Sequence, residues 1–485
     1  MAGTIQNLRT PGANVSNNGT SSHGASVAKR GVASGAGTPV RVKPTSRSAG
    51  ADGLLARDVA VSALFAVLIE RRPFDDAFAK AAAARDLAPR DRAFARLIAT
   101  SVLRNRGSLQ AVLNTYIAKP LPEHQGRLGL ILLAAAAQLL LLQTPPHAAI
   151  SLAVDQCRAD RLGRRFANLT NAVLRRVSES GHGRLASLDN VTLTFPEWLL
   201  GKWSRAYGAV EARQIARASL SEPALDLTVK SDAEEWAMRL NGLVLPTGSV
   251  RCTGMGRIED LDGYEDGAWW VQDAAAALPV KLFGDVTGLS ALDLCAAPGG
   301  KSAQLAAAGA RVVAVDKSAG RLTRLQQNLQ RLGLSADVVT ADAQNFTTEK
   351  TFDVVLLDAP CTATGTIRRH PDILYLKRAD DVQALAGLQS KLLAQAARLV
   401  RPGGTLVYCV CSLEPEEGEE QVAAFLAEHG AFSRKPMQLD ESVIPLLWRT
   451  VDGDLRTLPS YFSELPDGMR GLDGFYAAAL VKADN

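Results

Sequence analysis

Two cysteines stand where a nucleophile would be useful. Cys361 lies in Asp358-Ala-Pro-Cys-Thr-Ala-Thr-Gly and Cys411 in Cys409-Val-Cys-Ser-Leu-Glu-Pro-Glu-Glu, and each follows a short apolar run that reads as a buried strand. A thiolate adds readily to an electron-poor carbon. C6 of a cytosine is such a centre, because addition there turns C5 into an enamine-like carbanion that can accept a methyl cation. The methylated C5 must then lose its proton and the thiol must leave, a step a second thiol can assist. A lone cysteine is more often a small buried hydrophobe, and that is the reading for Cys157, Cys252 and Cys409.

A second group of residues suits a nucleoside-bearing cofactor. The run Asp293-Leu-Cys295-Ala296-Ala297-Pro298-Gly299-Gly300-Lys301-Ser302 ends an apolar strand and opens a helix. Its adjacent glycines let a ligand approach the backbone, and the helix start offers unpaired N–H groups. A P-loop would need Gly where Cys295 stands, and a dinucleotide fingerprint needs G-x-G-x-x-G, so neither nucleotide motif is met. Asp316 ends the next apolar strand, placed to accept from ribose hydroxyls. Asp342 follows the third strand, within reach of an adenine amino group, and Asp358 ends the fourth. One such aspartate is usually a helix cap; four in register ask for another explanation.

A thiol at its ordinary pKa is only about 3% ionised at pH 7, so a nucleophilic cysteine needs a nearby cation. Lys301, Arg368 and Arg369 are the candidates. Glu414, Glu416, Glu417, Glu419 and Glu420 work against ionisation, and are better suited to the first turn of a helix beginning at Pro415. Cys409 and Cys411 lack the His or second Cys pair that zinc spacing requires, so no metal is expected.

These residues need a scaffold that brings strand ends to one edge. Strands at 289–294, 312–315, 337–340, 352–357 and 405–409 alternate with helix-length segments, the pattern of a doubly wound, Rossmann-like α/β sheet. Right-handed crossovers put all its carboxyl ends on the ligand edge. From 54 to 180 the periodicity is helical instead, with helices at 54–70, 89–106, 128–142 and 148–161. The polar run Ser178-Glu-Ser-Gly-His-Gly-Arg reads as a linker, followed by a helical stretch at 197–220 and a strand at 225–230. The expected domains are a disordered basic tail (1–50), a helical domain (51–182), a connecting subdomain (190–280) and the catalytic α/β domain (281–485).

Composition agrees with a soluble globular protein: 485 residues, 47% hydrophobic and 21% charged. The apolar run 128–142 contains Gln138 and is shorter than the roughly 17–25 residues that span a bilayer, so it is expected to be a buried helix. No secretory leader pattern opens the chain, and six scattered cysteines suit a reducing cytoplasm. A net charge of +4 is too small to imply nucleic acid, but charge clusters locally. The first 50 residues carry six Lys or Arg and no acid, as a basic arm or a dispensable tail would. The sets Arg90, Arg92, Arg96, Arg104, Arg106 and Arg161, Arg164, Arg165, Arg175, Arg176 could meet phosphates or be solvated faces.

The motifs DLCAAPGGK, DAPCTATGTIRRHPDI, CSLEPEEGE and WWVQDAAAAL resemble the Sun/Nop2 family of RNA cytosine-5 methyltransferases. RDRAFARLIATSVLRNRGSLQAVL and FANLTNAVLRRV resemble the NusB-like RNA-binding domain fused to the members that act on 16S ribosomal RNA. The resemblance covers residues 55–482. It implies that Cys411 is the nucleophile and Cys361 assists release. It also implies that Cys295 to Lys301, Asp316, Asp342 and Asp358 bind S-adenosyl-L-methionine, with Asp358 also touching the cytosine. The family usually has Thr before the nucleophile, where this chain has Val410. A monomer acting on 16S ribosomal RNA in the cytoplasm is expected. The alternatives are a transfer RNA methyltransferase and a non-catalytic RNA-binding assembly factor.

Overall fold

The computed structural model describes residues 49–122 and 125–484, so the tail expected at 1–50 lies almost entirely outside the described residues. Six helices build the N-terminal part: α1 (Ala49–Leu68), α2 (Phe74–Ala83), α3 (Pro89–Tyr116), α4 (Leu128–Leu140), α5 (Pro146–Ala159) and α6 (Ala167–Ala186). Their apolar faces enclose one core, to which α1 gives Val59, Leu64 and Val67 and α3 gives Ile98, Leu103 and Leu109. Almost all of α4 is buried, as its unbroken apolar run requires. No helix among the described residues is long and apolar enough to cross a membrane.

Two boundaries differ from expectation. The run at 178–186 is not a linker: α6 continues through it, and Gly181 is buried against Leu140 where a Cβ would come within 2.9 Å of that side chain. Its glycine serves close helix packing, a use that local composition cannot distinguish from a turn. Helix α3 likewise runs on to Tyr116 through a kink at Asn105 (φ −128°).

Three short helices follow, α7 (Asn190–Thr194), α8 (Glu197–Tyr207) and α9 (Ala209–Ser219). The single helical stretch expected at 197–220 is therefore two helices, broken at Gly208, whose φ of +84° a side chain would disfavour. A small antiparallel sheet comes next, made of β1 (Leu225–Val229), β2 (Leu243–Val244), β3 (Val250–Cys252) and β4 (Trp269–Val271) in the order β2-β3-β1-β4. The helix α10 (Ala233–Arg239) covers it through Trp236, with Leu227, Val250 and Trp269 in the same core.

The large sheet holds β5 (Ser290–Leu294), β6 (Arg311–Asp316), β7 (Asp337–Thr340), β8 (Phe352–Asp358), β9 (Val400–Val410), β10 (Phe432–Arg434), β11 (Leu455–Thr457) and β12 (Phe475–Lys482). Its order is β10-β12-β9-β8-β5-β6-β7, with β11 also on β12. Strands β9, β8, β5, β6 and β7 are mutually parallel, and β10, β11 and β12 are antiparallel additions. This is the expected Rossmann-like α/β fold, with an antiparallel edge the alternating pattern did not announce. Helices α11 (Leu278–Lys281), α12 (Gly300–Ala307), α13 (Ala319–Arg331), α14 (Ile373–Leu376), α15 (Ala379–Leu399) and α16 (Glu419–Glu428) complete the chain.

Gly107 tests the packing of α3 on α7. A Cβ there would lie 1.9 Å from the carbonyl oxygen of Leu193. Glycine to alanine inside a helix ordinarily gains roughly 0.5–1 kcal/mol. Gly107→Ala is expected to lose at least ~2 kcal/mol instead, read as a lowered midpoint in urea unfolding.

Candidate active site

The carboxyl ends of β5, β8 and β9 open into a cavity of about 840 Å³, whose wall includes Asp293, Asp358 and Cys411. Strand β9 ends at Val410, so Cys411 is the first residue beyond it; Cys361 follows β8 by three residues. Their sulfurs are 3.5 Å apart, close enough for one thiol to donate to the other. Two backbone bonds hold the segments together, Ala359 N–H to the Cys409 carbonyl and Gly365 N–H to the Cys411 carbonyl, both 3.0 Å. Cys361 does not line the cavity and stands behind Cys411.

The hydrogen bond to Cys411, followed by burial, pushes the Cys361 thiol far above its usual range. Either sulfur can donate to the other across the 3.5 Å contact. Cys409 is the buried thiol expected, raised by burial and by Asp358. Cys157 and Cys252 are buried too, away from the cavity. Val410 is fully buried in the apolar layer with Val422, Phe425 and Tyr476, a different layer from the one Cys409 and Cys411 pack on. An aliphatic side chain fits that place without a hydroxyl.

The three candidate cations divide. Lys301 donates to Asp358 at 2.8 Å and stands 4.9 Å from the Phe475 ring centre. Its ammonium is held above the usual range chiefly by Asp358, against the opposing effect of burial, with Cys409 and Cys411 adding to it. Arg368 is buried against Asp273 at 2.9 Å and does not line the cavity. Arg369 lines the cavity with Cys411 while its guanidinium is anchored on Asp473 at 2.5 Å. Asp473 and Asp273 outweigh burial and raise it, and Cys411 contributes in the same direction. Lys301 and Arg369 are thus the two of the three that line the cavity with Cys411.

The glutamate run does not form one helix start. Glu414 and Glu417 are fully buried in and beside a short turn at Pro415–Glu417, and α16 begins only at Glu419. Lys202 of α8 neutralises Glu416, and Arg456 takes Glu419 at 2.6 Å. Burial pushes the Glu414 carboxyl up to about 7 although Trp203 donates to it at 3.0 Å. Glu416 and Glu419 are therefore paired with cations, and Glu414 is held above the usual carboxylate range.

The glycine turn behaves as expected in part. Ala296, Pro298, Gly299, Gly300, Lys301 and Asp358 line the cavity. Gly299 has φ +105°, and a Cβ on it would come within 2.7 Å of Leu325 on α13, so both backbone and packing demand glycine. Cys295, Ala297, Asp316 and Asp342 are not on its wall. Asp316 is buried and engaged by the amides of Ala297 (3.2 Å) and Ser318 (2.9 Å) and by Arg321. Its strand-end position uses the carboxylate to brace the turn. Asp342 is exposed and accepts from Gln344 N–H at 3.0 Å, the local turn such a residue makes by itself. Of the four strand-end carboxylates, Asp293 and Asp358 line the cavity. Ser302 holds one Asp293 oxygen at 2.5 Å, while the other, buried, has no hydrogen-bond partner among the described residues. No group of three or more His, Cys, Asp or Glu among the described residues could hold a metal ion.

Phe475 on the wall escaped the sequence reading, whereas Trp270 and Gln272 lie in the motif WWVQDAAAAL, to which no site role was given. The helical bundle also reaches the site. Phe74 N–H donates to Asp372 (2.9 Å), the Tyr375 hydroxyl to the Leu103 carbonyl (2.6 Å) and Arg104 to the Arg368 carbonyl (2.9 Å). His370 pairs with Asp75 at 3.4 Å and holds its carboxyl well below the usual range. The first arginine set is partly consumed here: Arg104 is buried, Arg96 binds Asp75, and Arg106 lies 5.5 Å from the Tyr375 ring centre. Arg161, Arg164, Arg165, Arg175 and Arg176 stay exposed.

Residues 285–481 match the model of the 16S rRNA methyltransferase RsmB/F family, and residues 54–179 that of the NusB family. The ribosomal RNA small subunit methyltransferase B of Cronobacter sakazakii is 35% identical over 413 residues, covering 81% of this chain and 91% of that protein. Its Vibrio cholerae counterpart is 34% identical over 447 residues, covering 88% and 97%. This chain belongs to the RsmB/F methyltransferase family. Two solved structures share the fold. PH0851 superposes with a TM-score of 0.70 at 23% identity, covering 89% of this chain and 99% of that one. NSun6 from Pyrococcus horikoshii with SFG gives 0.52 at 20% identity, covering 60% and 99%. In this RsmB/F member, Cys411, the glycine turn and residues Pro73, Asp75 and Asp76 of the helical part line one cavity.

The electrostatics of Asp293 can be checked in this methyltransferase. Burial, reinforced by Asp358, pushes its carboxyl up to about 7 despite the Ser302 bond. The unfolded chain releases this proton near pH 4 and the folded chain near 7, so the group's stabilisation is complete below 4 and fades as pH rises to 7. Asp293→Asn is expected to flatten the fall in stability between pH 4 and 7, by up to ~4 kcal/mol. Urea unfolding at pH 5 and 7.5 measures it; an unchanged slope would remove Asp293 as the source.

Proposed function

We propose that this chain methylates C5 of a cytosine in 16S ribosomal RNA, in the cytoplasm and as a monomer, with Cys411 as nucleophile. The observation that carries the reading is the 3.5 Å approach of the Cys361 and Cys411 sulfurs at a cavity walled by a glycine turn. S-adenosyl-L-methionine, when bound, supplies an electrophilic methyl group. Asp293, Asp358, Gly299 and Gly300 share the cavity wall and are the residues that would hold it, the two glycines letting it approach the backbone.

The chain's own residues do the rest. Cys411, on the same cavity wall as Lys301 and Arg369, adds to C6 through its sulfur and gives C5 the electron pair it needs. Lys301 and Asp358, joined at 2.8 Å, offer a donor and an acceptor to a pyrimidine edge. After methyl transfer solvent water takes the C5 proton, the C5–H electron pair re-forms the C5–C6 double bond, and the C–S electron pair returns to sulfur. Cys361 assists by donating its S–H to the departing Cys411 thiolate across the 3.5 Å contact. A base inside a helix cannot meet Cys411, so the target is single-stranded or flipped out. The fused NusB-like helices, with exposed Arg175 and Arg176, supply phosphate contacts. The relatives named for small-subunit RNA favour that substrate over transfer RNA.

Incubation with methyl-labelled S-adenosylmethionine and small-subunit RNA is expected to yield 5-methylcytosine at a mapped position. Binding of the cofactor without incorporation into RNA would leave only an assembly-factor role. Cys411→Ala should abolish incorporation and form no protein–RNA adduct, whereas Cys361→Ala should trap an adduct stable to denaturing electrophoresis. The reverse pattern would exchange the two roles.

A further inference from the structure

One buried carboxylate is bonded to the residue after each cysteine. Glu417 is fully buried, and one of its oxygens accepts from the Thr362 N–H and from Gln389, each at 2.9 Å. The other oxygen takes the Thr362 hydroxyl and the Ser412 hydroxyl, the latter at 2.5 Å, and those two hydroxyls are 3.1 Å from one another. Thr362 follows Cys361 and Ser412 follows Cys411. Gln389 also donates to the carbonyl of Pro360 at 2.9 Å, so the clamp grips Cys361 from both sides. The Tyr408 hydroxyl holds the Glu417 carbonyl at 2.6 Å, which fixes the clamp to β9 itself.

From this geometry we infer that Glu417 is a positioning residue that sets the distance between the two thiols. The inference rests on the two-thiol reading given above and extends it. A buried carboxylate without a task costs desolvation, and apolar residues of the same volume would fill the space as well. Four converging donors, two of them hydroxyls from the two cysteine loops, offset that cost and impose a fixed geometry. Separation of the thiols is the quantity that release of Cys411 depends on, whereas attack on C6 depends on Cys411 alone. Loss of the clamp should therefore slow release more than attack.

Glu417→Gln keeps the size but leaves one acceptor oxygen for four donors. With the full chain, small-subunit RNA and S-adenosylmethionine, it is expected to accumulate the denaturation-resistant adduct at least about fivefold over the unaltered chain. Cys361→Ala run alongside sets the scale. If Cys361→Ala traps adduct and Glu417→Gln loses turnover without trapping any, Glu417 is ordinary structural support and the inference is overturned. Thr362→Val and Ser412→Ala each remove one bond to the clamp; both are expected to trap adduct at intermediate levels, and failure of both overturns it should Glu417→Gln not fold.

A readout independent of catalysis separates the two ideas. Hydrogen peroxide converts two neighbouring thiols to a disulfide with release of two waters, at a rate set by their approach. Cys361–Cys411 disulfide formation, followed by mass spectrometry, is expected to be several-fold slower in Glu417→Gln. Slower oxidation upholds the positioning role even if Cys361→Ala traps nothing and the two-thiol reading falls. An equal rate overturns the positioning role even if that reading stands.

Discussion

Six buried or half-buried ions, three of each sign, join the parts of this protein behind its active site. Arg251 of β3 pairs with Asp226 of β1 at 2.6 Å and donates to the carbonyls of Met469 and Gly471, each at 2.7 Å. Arg368 pairs with Asp273, and Arg369 with Asp473. The Asp473 amide donates to Asp273 at 3.2 Å, and the Ala274 amide to Asp226 at 3.0 Å. Small sheet, cysteine loop and C-terminal segment thus share one charge cluster. Removing a single member would strand its partner in a dry interior, at a cost of about 3–5 kcal/mol. The cluster also holds the one arginine of the three that faces both the cavity and Cys411.

The parallel strands and the first helices were legible because their signals are local. Five strands and four bundle helices were found where periodicity placed them, although α3 runs ten residues past its expected end at 106, since each buries a face that its own sequence records. The antiparallel edge was not legible: Phe475–Lys482 is a run of small and apolar residues whose partner, β9, lies some seventy residues earlier. Glycine was the least reliable guide. Gly181 and Gly107 pack helices closely, yet by type and setting Gly181 reads as a turn residue.

At the site, residue type and strand-end position located the thiols, the glycine turn and Asp358. They could not separate a carboxylate that meets the cavity from one that braces the chain. Asp293 and Asp316 end adjacent strands, and only the backbone amides around Asp316 decide that it is spoken for. The glutamates misled for a related reason. A row of acids looks like one charged surface in sequence, but Glu414 and Glu417 turn inward while Glu416 and Glu419 meet cations.

The bundle's hold on residues 368–376 bears on how the chain can be divided. Tyr375 and Leu376 pack on the apolar core of the helices, and Ile373 and Leu374 on the core that α8 and α9 share. A catalytic half excised at residue 281 would therefore carry an uncovered apolar strip along the edge of its own substrate cavity. Such a strip invites self-association. In this architecture the helical portion is one wall of the cavity, and its contacts hold residues 368–376 in place beside it.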